Sequence, residues 1–99
     1  MITITITAQN QYSDALYKSR GENIGFSIQT VSAWTGTIEL QRLPEENSAN
    51  YYNATDDGWI TFLSKTADYN ADTADLAPGW FRIKATTGAI SGRALCKIW

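Results

Sequence analysis

Residues 2–7 of this chain read ITITIT, a β-branched apolar side chain alternating with a β-branched hydroxyl. Successive side chains of an extended strand point to opposite faces. Ile2, Ile4 and Ile6 therefore line one face and the threonines the other, the pattern of a half-buried strand. The same period returns along the chain. "ENIGFSIQT" sets Ile24, Phe26 and Ile28 on one side, and "TIELQRL" sets Ile38 and Leu40 inward with Glu39 and Gln41 toward solvent. In "GWFRIKAT" (79–86) Phe81 and Ile83 oppose Arg82 and Lys84, with Trp80 on the basic side. "GRALCKIW" (92–99) gathers Ala94, Cys96 and Ile98 against Leu95 and Trp99. "GWITFLSKTA" (58–67) is less regular, because Trp59, Ile60, Phe62 and Leu63 straddle both faces.

Turn-forming clusters separate these runs: KSRGEN, PEENSAN, DDG, ADLAPG and TTGAISG. A helical spacing of i, i+3, i+4 persists for no more than a turn. "QNQYSDALYKS" is the best short helix candidate, and it reads equally well as an extended strand with its loop. "SANYYNAT" is a second ambiguous stretch. About six to eight short strands with regular turn signals predict an all-β fold, a single antiparallel β-sandwich of jelly-roll or immunoglobulin-like topology. A small closed barrel is the alternative. No repeat or linker divides the 99 residues, so 1–99 reads as one domain.

The residue inventory narrows the chemistry. There is no histidine, which removes the commonest general base near neutral pH, the commonest metal ligand and every Ser-His or Cys-His arrangement. The single cysteine, Cys96, excludes an internal disulfide and a cysteine zinc site, and its place on an apolar face reads as a small buried hydrophobe. Asp56, Asp57, Asp68, Asp72 and Asp75 sit beside Gly, Asn and Thr, where aspartate commonly caps turns. From Asp68, "DYNADTAD" opens like a calcium loop, but Thr73 stands where glycine is needed and Gly79 where the bidentate glutamate is needed. No glycine-rich phosphate loop is present. The reading is a chain without catalytic, metal or cofactor-binding residues, and not an enzyme.

Partners are bounded in the same way. Eight scattered Lys and Arg against ten Asp and Glu, a net charge of −2, offer no basic patch for nucleic acid. No apolar run reaches the length of a membrane span. "MITITITA" lacks the basic start of a signal peptide, so the chain reads as made in a cytoplasm. The aromatics are the better lead. Trp34, Trp59, Trp80 and Trp99 fall at strand ends, where they plug the core or anchor an interface. Tyr51 and Tyr52 are adjacent, so an extended backbone exposes one of them. Trp99 can pack on its own domain or on a neighbour. Strand 2–7 has no proline and no charge to protect its edge, and with Ile2, Ile4 and Ile6 it can pair in its own sheet or add to a neighbour's.

The succession "WTGTIELQR", "DDGW", "TFLSKTAD" and "PGWFRIKATTGAISGRALCKI" resembles the small β-sandwich virion proteins, immunoglobulin- or fibronectin-like, encoded by tailed bacteriophages. Gly36, Thr37, Ile38, Leu40 and Arg42 match a G-T-[IV]-x-[LV]-x-R strand. Asp57, Gly58 and Trp59 match a turn in which Trp follows Asp-Gly, here more closely than usual. Gly79, Phe81, Arg82 and Ile83 match a G-x-[YF]-R-[IL] strand, and Ser91 to Ile98 match the closing strand. The likeness spans about residues 22–99, and the long "PEENSANYYNAT" connection departs from it. It implies a virion structural role without catalysis: capsid decoration or cement, a head-tail element or a tail accessory. It further implies major capsid or tail subunits as partners, a homo-oligomeric or lattice-bound state, and assembly in the host cytoplasm. The alternative is a carbohydrate- or cell-surface-binding sandwich, with Tyr51, Tyr52 and exposed tryptophan as stacking platforms.

Overall fold

A computed structural model describes residues 1–44, 58–73, 78–86 and 90–99. Eight strands run through them in chain order: β1 (Ile2–Ile6), β2 (Leu16–Lys18), β3 (Ile24–Thr35), β4 (Ile38–Pro44), β5 (Ile60–Lys65), β6 (Tyr69–Thr73), β7 (Gly79–Ala85) and β8 (Ser91–Ile98). No helix forms among the described residues, and "QNQYSDALYKS" takes its extended reading. All strand pairs are antiparallel, in two four-stranded sheets of order β1-β8-β3-β6 and β2-β7-β4-β5.

Each strand of the first half pairs with its counterpart counted from the other end: β1 with β8, β2 with β7, β3 with β6, β4 with β5. The chain is thus one long two-stranded ribbon whose successive pairs alternate between sheets, and β3–β8 and β4–β7 contacts join the pairs. That is jelly-roll connectivity and not the immunoglobulin-like order, the other topology expected from the sequence. Among the described residues the two sheets stay separate with four end strands, β1, β6, β2 and β5, so the barrel alternative does not apply.

Alternation builds the interior. Ile6, Ile24, Phe26, Ile28, Ala94, Cys96 and Ile98 from the first sheet and Ile38, Leu40, Phe81, Ile83 and Ala85 from the second form one buried cluster. Phe62 meets Phe81 edge-on at 6.0 Å, and Phe26 meets Tyr69 at 5.8 Å with the rings tilted by 50°. The irregular stretch of β5 has a simple cause. Leu40 pairs with Leu63 but Gln41 with Thr61, so Phe62 is the extra residue of a β-bulge. The bulge turns both Phe62 and Leu63 partly inward, against the core.

The outer face of the second sheet departs from expectation. Gln41, Arg82 and Lys84 are buried, at 4%, 2% and 6% exposure, where alternation placed them in solvent. A second layer covers them. Residues 10–13 continue the line of β2 along β7, with Tyr12 bridging Lys84, Ser13 N donating to Ile83 O and Ala85 N donating to Gln11 O. The Arg82 guanidinium lies 4.3 Å from the Tyr12 ring and 4.3 Å from the Trp59 ring, and its Nε donates to Gln41 Oε1 at 2.7 Å. The aromatic faces and the amide replace water around the charge.

The interior sets the expected stability pattern. Phe81→Ala removes a side chain of zero exposure and should cost about 3–5 kcal/mol. Val31→Ala, at a position 57% exposed, should stay within about 0.5 kcal/mol. Urea unfolding midpoints at a common m-value check both.

Candidate interaction surfaces

Among the described residues, two groups able to do chemistry, Cys96 and Asp68, are held by the fold. Cys96 is fully buried among the core residues of β8, and burial, with the nearby Asp68 charge in second place, pushes its thiol up to about 12. At neutral pH it carries no thiolate to act as nucleophile or ligand. The Asp68 carboxylate accepts from Trp34 Nε1 at 3.0 Å, Thr30 Oγ1 at 2.8 Å and Thr30 N at 3.1 Å. These bonds hold its pKa below the ordinary range, the Trp34 bond most of all. Asp68 thereby ties the approach to β6 to the outer stretch of β3. The other residues of the calcium-like opening, Asn70 and Asp72, lie exposed along β6, and no three metal-ligating side chains converge among the described residues. Asp56, Asp57 and Asp75 lie outside them.

The four sheet edges differ in kind. β2 carries Lys18, β5 carries Lys65 and β6 carries Asp72, each a charge of the sort that keeps foreign strands away. β1 carries none. It pairs with β8 along its whole length, from Ile2 opposite Ile98 to Ile6 opposite Ala94, and stands at the end of its sheet. Ile6 is fully buried, and Ile2 and Ile4 pack half-buried on the same core. The isoleucines named as interface candidates therefore belong to their own domain. A neighbour would meet the backbone edge and the exposed Thr3 and Thr5.

A second surface forms across the outer face of the same sheet. The registers align Thr3, Lys97, Ser27 and Asn70 in one row, and Thr5, Leu95 and Gln29 in the next. Trp99 lies beyond them, opposite Gly25, to which it is tied by backbone bonds of 2.8 and 3.1 Å. A methyl group on Gly25 would sit 2.1 Å from the indole. The glycine therefore lets the ring lie down on the sheet, with 38% of Trp99 still exposed. The result is an open concavity of about 700 Å³ lined by Ser27, Gln29, Asp68, Asn70, Lys97 and Trp99, together with Met1, Ile28 and Tyr69.

The tryptophans divide. Trp59 is buried, Trp34 is half-buried against the core, Trp80 meets Tyr17 edge-on at 5.3 Å, and Trp99 alone faces the concavity. Tyr51 and Tyr52 lie outside the described residues. Ser27, Gln29, Asn70 and Lys97 were not singled out from the sequence; their only mark is an outward position in alternation, and strand order decides which of them meet. Set against protein-family models, curated proteins and solved structures, the chain matches none.

Two measurements check these assignments. The Cys96 thiol should react with DTNB only as fast as the protein unfolds; rapid labelling of native protein would contradict its burial. The depressed pKa of Asp68 means that folding favours its charged form. That contribution is complete above the unfolded value of about 3.9 and is lost as pH falls through the folded value. Glu22, lowered by its bonds to Ser19, acts in the same direction. Asp68→Asn should therefore flatten, without abolishing, the fall of the urea midpoint below about pH 4.

Proposed function

We propose that this chain is a non-enzymatic structural component of a virion, a capsid decoration or cement protein or a head-tail or tail accessory, that binds neighbouring virion subunits by strand addition at the β1 edge. The carrying observation is the contrast among the four edges: β1 alone lacks a charged side chain. Strand addition draws its affinity from backbone hydrogen bonds, and the alternating isoleucines and threonines set which face the added strand presents. Each such contact is small, and on a symmetric lattice many of them act together, so a weak single contact still gives firm attachment. The phage resemblance of residues 22–99 supplies the virion setting, with host cytoplasm as the place of assembly. Jelly rolls serve in viral capsids and in lectins alike, an analogy of fold that is compatible with the proposal without singling it out.

The test is the composition of particles. Density-purified particles from cells that carry the gene in its genomic context should hold the chain in fixed ratio to a major capsid or tail subunit. Thr3→Lys combined with Thr5→Lys, both at exposed positions, should lower that ratio about tenfold, the factor produced by losing about 1.4 kcal/mol of binding. The unfolding midpoint of the free protein should barely move. Particles free of the chain, or full occupancy by the double variant, would reject the proposal.

A further inference from the structure

The concavity on the outer face of the β1-β8-β3-β6 sheet has a chemistry that the β1 edge does not use. From the Trp99 indole lying over Gly25 to Gln29 it runs along β3 for about 13 Å, four residues at about 3.3 Å each. Its floor is low at Ser27, beside the indole that covers the buried Gly25. Lys97 of β8 and Trp99 just beyond it rise on one side, and Asn70 and Asp68 on the other. Gln29 stands at the far end, exposed like Asn70.

We infer that this groove is a binding site for a short neutral oligosaccharide, two or three sugar rings long. Trp99 supplies the stacking platform. Its indole is fixed over Gly25, so little side-chain freedom remains to be lost when the apolar C–H face of a pyranose settles on it. The amides of Gln29 and Asn70 each offer a donor and an acceptor, as the Ser27 hydroxyl does, matching sugar hydroxyls that both give and receive hydrogen bonds. Lys97 adds a donor. The charges argue against an anionic ligand such as a phosphodiester: Lys97 is the one cationic side chain of the groove lining, and the Asp68 carboxylate lines the same concavity. Three donors already occupy the Asp68 carboxylate, so recognition falls to the uncharged groups. The length of the groove sets the number of rings. Its openness to solvent sets the affinity in the millimolar range, tightened where many copies meet one polysaccharide.

The test is an amide and indole NMR titration of the full chain with cellotriose, maltotriose and tri-N-acetylchitotriose at millimolar concentration, with sialyllactose as the acidic comparison. At least one neutral trisaccharide should shift Ser27, Gln29, Asn70 and the Trp99 indole together. Trp99→Ala should weaken that binding about tenfold or more. Because Trp99 also packs on its own sheet, Gln29→Ala and Asn70→Ala, at exposed positions, provide variants with an intact fold, and each should weaken binding several-fold. The inference is overturned if no neutral trisaccharide shifts these resonances, if only sialyllactose does, or if the Gln29 and Asn70 variants bind as the parent does. None of these outcomes touches the β1 edge, which can succeed or fail separately.

Discussion

The surfaces of this molecule depend on the contact between the inner faces of its two sheets. Phe26, Ile28, Cys96 and Ile98 from one, and Leu40, Phe81 and Ile83 from the other, make a single apolar cluster with essentially no solvent contact. Burial of this order is the chief favourable term in folding a domain of this size. With one face of each strand committed inward, the opposite face of every strand has its direction fixed. The sheet carrying β1 leaves its outer face to solvent as an open row of hydroxyls, amides and one indole. The sheet carrying β7 covers its own with Tyr12 and Trp59.

That difference gives the two outer faces different chemistry. On the covered face, Arg82 and Lys84 are drawn into an aromatic and amide layer, and their charge is spent on holding the layer together. On the open face, Lys97 stays partly solvated beside Trp99. The acidic groups follow the same division of labour. Asp68 clamps Thr30 and Trp34, whereas Asn70 and Asp72 remain at the surface of β6. Among the described residues the thiol is buried and one carboxylate is clamped, while one sheet edge and one groove stay open.

Much of this was legible in the sequence, because alternation is a local property. ITITIT, ENIGFSIQT, TIELQRL and GRALCKIW each declared their buried side correctly: Ile6, Ile24, Phe26, Ile28, Ile38, Leu40, Ala94, Cys96 and Ile98 are all interior. Failures came where a neighbour far along the chain decides. Gln41 and Lys84 looked solvent-facing because nothing near them in sequence says that residues 10–13 will lie across β7. Phe62 and Leu63 looked ambiguous because a bulge is set by the partner strand. The groove was invisible for the same reason: Ser27, Lys97 and Asn70 are ordinary polar residues until strand order places them side by side.

The ribbon connectivity has a consequence for biosynthesis. β8 is the sole described strand lying between β1 and β3, so it is the keystone of its sheet. During translation β1 emerges first, yet its partner is made after every other strand of the fold. For that interval the Ile-Thr segment has two open edges instead of one, and its isoleucines lack the wall that later shelters them. Nascent chains of this topology therefore need dilution or a chaperone while they wait, and crowding on a polysome would favour strand exchange between siblings.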